Sequence, residues 1–367
     1  MKKSVAIIGT RGYPSYYGGF ETLIRQLAPY LSSQGWDVTV YGREGATKTD
    51  DPELDPTVKT VVTKGIESKS LSTLSYGLSS NLHASFKKPD VALVMNVANG
   101  YWLPLLKARG IPTVVNVDGI EWERAKWGKK AKTAFKLGAH LTAKFADRIV
   151  VDSRAIGRRW EEEFSRTGDF IPYGGTNPGK LDPVEGLAPG SYALMVARFV
   201  PENSVEQFFD AAVELATDSD VVIVGSSGYG GELDAKAEQL SLQYPRVHWL
   251  GHVSDDRKLF SLWQHAGAYF HGHSVGGTNP ALVQAMACGA PIVARDTPFN
   301  REVLGDLGRF VRPIPSEIAS NLSVVINNIE IQDQLRNAAL VRQQDEYTWD
   351  LVCKKYEQSI IEAIEQR

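Results

Sequence analysis

The amino-acid sequence predicts an α/β protein of two doubly wound, parallel-sheet domains, and three observations predict it. The chain has 367 residues, enough at about 100 to 200 residues per domain for two full cores. Short β-branched runs alternate with longer helical patterns along most of its length. One aperiodic stretch rich in Gly and Pro, Phe170 to Ser191, separates two such series.

The first series is VAIIG, DVTVYG, VKTVV, DVALVMN, PTVVNV and RIVV, with segments such as ETLIRQLAPYLSSQG and LSTLSYGLSSNLHASFKK between them. Near-continuous apolar strands separated by helices mean a parallel sheet covered on both faces. The opening MKKSVAIIGTRGYP holds an apolar stretch of only about five residues and no small-residue cleavage site, so it reads as a first buried strand. The longest apolar neighbourhood starts at Val91 and is broken by Asn96, Asn99, Gly100 and Pro104. It falls short of the roughly 18 to 20 clean apolar residues of a spanning helix, so no segment is expected to cross a membrane.

The second series is YALMVARF, VVIVG, VHWLG, AYFHG, PIVARD and RFVRP, followed by a helical pattern from Ile329 to Arg367. Tyr347, Trp349 and Tyr356 on that tail are expected to pack back on the first domain. The domains are therefore placed at residues 1–175 and 176–345, with residues 346–367 as a returning helix.

Composition excludes several classes of function. With 43% apolar and 23% charged residues the chain is neither disordered nor coiled-coil. A formal net charge of -3 gives no global signal for nucleic acid, and none is expected as a partner. Cys288 and Cys353 lack a CxxC neighbour or metal-ligand spacing, so a reducing compartment and no metal site are expected.

In open α/β sheets ligands lie at the carboxyl ends of the strands, so the loops there carry the search. The first strand ends in GTRGYPSYYGGFETLIRQL, which is not GxGxxG, and the second strand ends in Gly42 and Arg43 where a dinucleotide site wants an acidic residue. Gly18 and Gly19 still let backbone NH groups approach an anion at a helix start. Arg198 follows a buried strand in YALMVARFVPENS, and its planar fork suits a diphosphate. In HGHSVGGTNPALVQAMACGAPIV, Asn279 fits an N-cap and Pro280 the first helical position, so Gly277, Thr278 and Asn279 open a second anion site. His271 and His273 read as packing residues. Asp218, Ser219 and Asp220 spell DxD but precede their strand, at the end away from any ligand.

The motifs GTRGYPSYYGGFET, VDGIEWERAKW, VARFVPENS and HGHSVGGTNPALVQAMACGAPIVA, in that order, resemble the retaining glycosyltransferases of the GT-B fold, glycosyltransferase family four. Within it, the first two motifs and HGHSVGGTNP resemble the rhamnosyltransferase-like branch of bacterial polysaccharide synthesis. The resemblance implies two Rossmann-like domains facing a central cleft and a nucleotide-diphosphate sugar donor in the second. It also implies an acceptor in the first, and neither metal nor cofactor. By position, Gly18 and Gly19 match the family's glycine loop and Arg198 its phosphate-binding arginine. Asn203, also expected to contact the donor, stands where relatives carry Lys, and Gly276 and Gln284 stand where they carry two Glu. Gln284 is expected on a ribose hydroxyl, with the backbone of Gly277, Thr278 and Asn279 on the sugar. Where relatives have His, the first domain offers Asp118 as the residue orienting or deprotonating the acceptor hydroxyl, with Glu121 nearby.

The function expected is transfer of a hexosyl or deoxyhexosyl group, rhamnosyl among them, to a lipid-linked or saccharide acceptor in cell-surface polysaccharide synthesis. Two alternatives stand beside it: a nucleotide-sugar epimerase of the same architecture and a non-catalytic nucleotide-sugar-binding subunit. Residues 122–148 add a location. Arg124, Lys126, Lys129, Lys130, Lys132, Lys136, Lys144 and Arg148 against Glu123 and Asp147 give a local net of +6. With Trp122, Trp127, Phe135, Leu137 and Leu141 interleaved, the segment is expected to lie on an anionic bilayer, with Trp127, Lys129, Lys130, Lys132 and Lys136 in contact. The chain is then cytoplasmic and peripheral at the inner face of the membrane.

Overall fold

A computed structural model of the chain describes residues 2–16, 18–48, 50–67, 72–124, 127–228 and 230–366. The chain divides into two compact units, Met1–Pro172 with Trp349–Arg367, and Tyr173–Thr348.

Unit 1 is a seven-stranded parallel sheet of β1 (Ser4–Ile8), β2 (Asp37–Arg43), β3 (Lys59–Thr63), β4 (Val91–Met95), β5 (Thr113–Asn116), β6 (Arg148–Val151) and β7 (Asp169–Phe170), in the order β3-β2-β1-β4-β5-β6-β7. Each of the six expected runs forms a strand. β7 has two residues, too few to carry a period of two. All five side chains of β4 are buried, the price of lying centrally under helices on both faces. The crossovers are α1 (Gly19–Ser33), α2 (Ser72–Lys87), α3 (Leu103–Ala108), α4 (Lys129–Phe145) and α5 (Arg154–Phe164).

Unit 2 repeats the design with β8 (Tyr192–Val196), β9 (Asp220–Val224), β10 (Val247–Trp249), β11 (Ala268–His271), β12 (Ile292–Arg295) and β13 (Arg309–Val311), ordered β10-β9-β8-β11-β12-β13. Its helices are α6 (Val205–Leu215), α7 (Glu232–Gln243), α8 (Asp256–Gln264), α9 (Pro280–Ala287), α10 (Pro298–Leu304), α11 (Pro315–Ile326) and α12 (Ile329–Glu346), and α13 (Trp349–Glu365) belongs to unit 1. In both sheets the strand order reverses once, at β1/β4 and at β8/β11. Such a switch point splays the flanking loops apart at the carboxyl edge and opens a crevice there.

The unit boundaries differ by a few residues from those expected. Residues 173–175 belong to unit 2 because Gly175 N donates to Tyr347 O at 2.8 Å and Gln343 Nε2 to Gly175 O at 3.0 Å. The tail also divides where one helical pattern was expected. Tyr347 stays in the unit 2 core, whereas Tyr356 on α13 is buried in unit 1 and accepts a hydrogen bond from Asn116 Nδ2 at 2.6 Å. Among the described residues no helix is long and apolar enough to cross a membrane.

Candidate functional site

In unit 1 the switch point gathers Asn96, Asn116 and Asp118 at the ends of β4 and β5. Asn116 Oδ1 accepts from Asp118 N at 2.9 Å, closing a tight turn. That turn drives Asp118 to a positive φ of +59°, and Asn96 has a positive φ too, +70° with ψ 135°. Asn and Asp tolerate this conformation better than other side chains, yet it still costs energy, and such residues gather at functional sites. Asn96 Nδ2 donates to Asp118 Oδ2 at a long 3.4 Å, so the half-buried carboxylate keeps most of its acceptor capacity. The order of support runs from Tyr356 on α13 through Asn116 to the Asp118 turn.

Glu121 is placed differently from expectation. It is buried, with Oε1 paired to Arg124 at 2.7 Å and Oε2 accepting from Trp127 Nε1 at 2.7 Å. Its carboxylate fastens the loop after β5 and is not presented to an acceptor. Gly18 caps α1 without a side-chain hydrogen bond, and the buried Glu21 carboxylate stands in the helix's first turn, where it accepts from Arg11 N at 2.9 Å.

In unit 2, Arg198 lies just beyond β8 with its side chain exposed, and among the described residues Glu202 does not pair with it. Its carbonyl accepts from Asn203 Nδ2 at 2.8 Å, and Asn203 Oδ1 accepts from His273 Nδ1 at 2.6 Å. Asn203 therefore straps the loops after β8 and β11 together with both ends of its amide, and the direct ligand contact expected of it is used up inside the protein. Gly272 permits this: a Cβ there would stand 2.2 Å from Asn203 O.

The helix expected near Thr278 opens as read. Asn279 Oδ1 accepts from Ala281 N at 2.9 Å, and Pro280 takes the first position. Thr278 is buried, whereas Gly277 in the same turn is part-exposed. Gln284 departs from its expected ribose contact. Its Oε1 accepts from Thr176 N at 3.0 Å and its Nε2 donates to Thr176 O at 2.7 Å, across 108 residues of sequence. Arg295, at the end of β12, was not foreseen. Its Nη1 donates to Ser204 Oγ at 3.0 Å, which brings a second guanidinium to the carboxyl edge of the sheet. The DxD triplet lies where expected, at the amino end of β9, with Asp220 against His248 Nε2 at 3.1 Å.

His271 is wholly buried and shares a hydrogen bond with Tyr269 Oη at 3.1 Å. Burial, then the neighbouring His273, pushes its pKa from 6.5 down to about 3. The unfolded chain thus takes up the proton first, and stability is lost as pH falls below the unfolded value, by about 2 kcal/mol at pH 5. Urea denaturation of His271→Asn, which keeps a partner for Tyr269, should show a smaller loss between pH 7.5 and pH 5 than the wild type. An identical loss would place the acid sensitivity elsewhere.

Two family models divide the chain much as the two sheets do. Residues 17–169 match Glycosyltransferase Family 4, and residues 185–341 match Glycosyl transferases group 1. Each unit carries one glycosyltransferase family domain. The chain is 33% identical over 142 residues to a phosphatidyl-myo-inositol mannosyltransferase of Mycolicibacterium smegmatis, covering 37% of this chain and 34% of that protein. It is 26% identical over 217 residues to O-antigen chain mannosyltransferase B of Escherichia coli, covering 56% and 52%. These matches thus span about a third and about half of the relatives' lengths. Among solved structures, sucrose-phosphate synthase from Thermosynechococcus elongatus matches with TM-score 0.80 at 18% identity over 100% of both chains. Anabaena HepE in complex with UDP matches with TM-score 0.76 at 16% identity, over 98% of this chain and 100% of that one. The fold is therefore that of the GT-B glycosyltransferases, with two Rossmann-like domains.

Proposed function

We propose that the protein is a retaining, metal-independent glycosyltransferase that takes a nucleotide-diphosphate sugar in unit 2 and an acceptor in unit 1. The observation that carries this is the pairing, at the β8/β11 switch point of a glycosyltransferase domain, of an exposed Arg198 with the Asn279-capped start of α9. A fixed cation and aimed NH groups stabilise charge as a diphosphate departs, which is where most of the catalysis would come from. The acceptor hydroxyl attacks the anomeric carbon on the face the leaving group vacates. The C–O bond to phosphate breaks, and the departing phosphate oxygen takes the hydroxyl proton. Asp118 accepts the hydroxyl's hydrogen bond and orients it. The mannosyltransferase relatives favour a hexosyl donor, and the motifs of the first domain favour a deoxyhexosyl one. Nucleoside-diphosphate release from a panel of nucleotide sugars tests the reading: release that rises with acceptor supports it, and release indifferent to acceptor opposes it.

The same reading places the protein at an anionic membrane surface, through α4. The helix buries only Gly138, Ala139 and Thr142. Cβ atoms built at Gly100 and Gly138 would stand 2.2 and 2.6 Å from Gly138 O and Val97 O, so the helix seats on the turn at Val97–Trp102 by its small residues. Leu137 is left exposed, and the Trp127 and Phe135 rings lie tilted against each other with centroids 5.3 Å apart. Lys129 and Lys130 are exposed, Lys132 half-buried, and Lys136 is paired to Glu163 at 2.7 Å. Trp122, expected on the bilayer face, is instead buried against Trp160 and Phe164. Lys126 lies outside the described residues. At about 1 kcal/mol per basic residue near an anionic surface, Lys129, Lys130 and Lys132 together support salt-sensitive binding. Sedimentation should show the wild type on phosphatidylserine vesicles at low salt but not on neutral ones, and Lys129, Lys130 and Lys132 changed to Glu should abolish it. Equal binding to both vesicle types would end the proposal.

A further inference from the structure

The strand ends of unit 1 hold a second polar centre that the transfer chemistry does not use. Arg43 closes β2 and is 8% exposed, a buried cation at the carboxyl edge. Its Nε and Nη1 are fully buried and make no hydrogen bond. Glu67 is the nearest counter-charge, at 3.7 Å from Nη1 and 63% exposed, beyond hydrogen-bonding reach. The Tyr76 ring lies 4.8 Å from the guanidinium carbon. Burial, then the charge of Arg11, pulls the Arg43 pKa below its ordinary value, with Glu67 and Glu21 offsetting part of it. Leaving a buried guanidinium with unmade hydrogen bonds costs more than an ordinary polar contact gains.

Arg43 lines a recess with Thr10, Thr63, Thr73, Tyr76 and Ser80. The recess has space for about one water-sized group. Thr63 Oγ1 and Ser80 Oγ share a hydrogen bond at 3.0 Å, and Thr10 Oγ1 donates to Tyr41 O at 3.2 Å. The walls are thus hydroxyls around one planar cation with open donors, the chemistry that takes an oxygen of a phosphate or carboxylate. A water could fill the space, but it carries no charge, and Glu67 at 3.7 Å, itself 63% exposed, offsets the guanidinium only in part.

We infer that this recess is an anion subsite, in which Arg43 takes an oxygen of a phosphate or carboxylate carried by the acceptor. The inference rests on the reading of unit 1 as the acceptor domain; the site itself does not. An acceptor bearing a charged group would be held at Arg43 and so selected over a neutral saccharide.

The test is calorimetric titration of the full chain with inorganic phosphate and, separately, with acetate, in an Arg198→Ala background that removes the phosphate contact of unit 2. Arg43→Gln should weaken binding at least tenfold, and Arg43→Lys less than that. Thr73→Leu, which fills the recess without touching the guanidinium, should weaken binding equally and decides the matter if Arg43→Gln fails to fold. Stronger binding of phosphate than acetate points to a phosphorylated acceptor, and the reverse to an acidic sugar. Undiminished binding in a folded Arg43→Gln or Thr73→Leu variant overturns the inference. In turnover, Arg43→Gln should raise KM for a charged acceptor at least tenfold and leave KM for the nucleotide sugar unchanged. A rise in donor KM instead would assign the recess to the donor. If the chain proves inactive, the phosphate titration still reads the site.

Discussion

Asp118→Asn is expected to lower turnover by about one to two orders of magnitude, the worth of an orienting hydrogen bond to a charged group, with nucleotide affinity unchanged. Asp118 sits at φ +59° with a carboxylate that, among the described residues, accepts a side-chain hydrogen bond only from Asn96, at 3.4 Å. Asn adopts the left-handed conformation as readily as Asp, so the substitution removes charge and proton affinity without adding backbone strain. Asp118→Ala would mix the two effects, because the new residue would also have to pay for the conformation. Steady-state kinetics with thermal denaturation of each variant separates them. If Asp118→Asn keeps full turnover and a normal Tm, the carboxylate only closes the turn after β5.

Arg198→Ala is expected to weaken nucleoside-diphosphate binding by about 1.5 to 3 kcal/mol, the range for hydrogen bonds to charged groups. The side chain is exposed and Asn203 holds only its carbonyl, so truncation should leave the fold intact. Arg198→Lys should recover part of the loss, since a lysine keeps the charge and forfeits the fork. Calorimetry of both variants measures this directly. Wild-type affinity in Arg198→Ala would remove the diphosphate from this strand end.

The parts of the fold that were legible in the sequence are those with a period. Every strand of four or more residues could be read, because central parallel strands are continuous apolar runs between helices. The α9 opening was legible because Asn279 and Pro280 are local signals that act within three residues. What escaped is side-chain bonding between distant segments. Gln284 looked available for a ribose because nothing in its neighbourhood shows that Thr176, 108 residues away, occupies its amide. The bonds of Asn203 and Glu121 escaped for the same reason, one strapped to Arg198 and His273, the other fastened to Arg124 and Trp127. Tyr347 and Tyr356 lie on one helical pattern, yet the break between α12 and α13 sends them to different cores. Arg43 entered the sequence reading only as the residue that spoils a dinucleotide fingerprint. Its open donors become visible only once α2 and β3 wall the recess around it.

The most direct measurement of the central claim is proton NMR of a reaction mixture containing the full chain, a nucleotide sugar selected by binding, and a phosphorylated saccharide acceptor. The account predicts that nucleoside diphosphate appears only with acceptor present, and that the new glycosidic anomeric signal has the configuration of the donor. A free or epimerised sugar formed without acceptor, a product of inverted configuration, or tight nucleotide binding with no turnover would each contradict it.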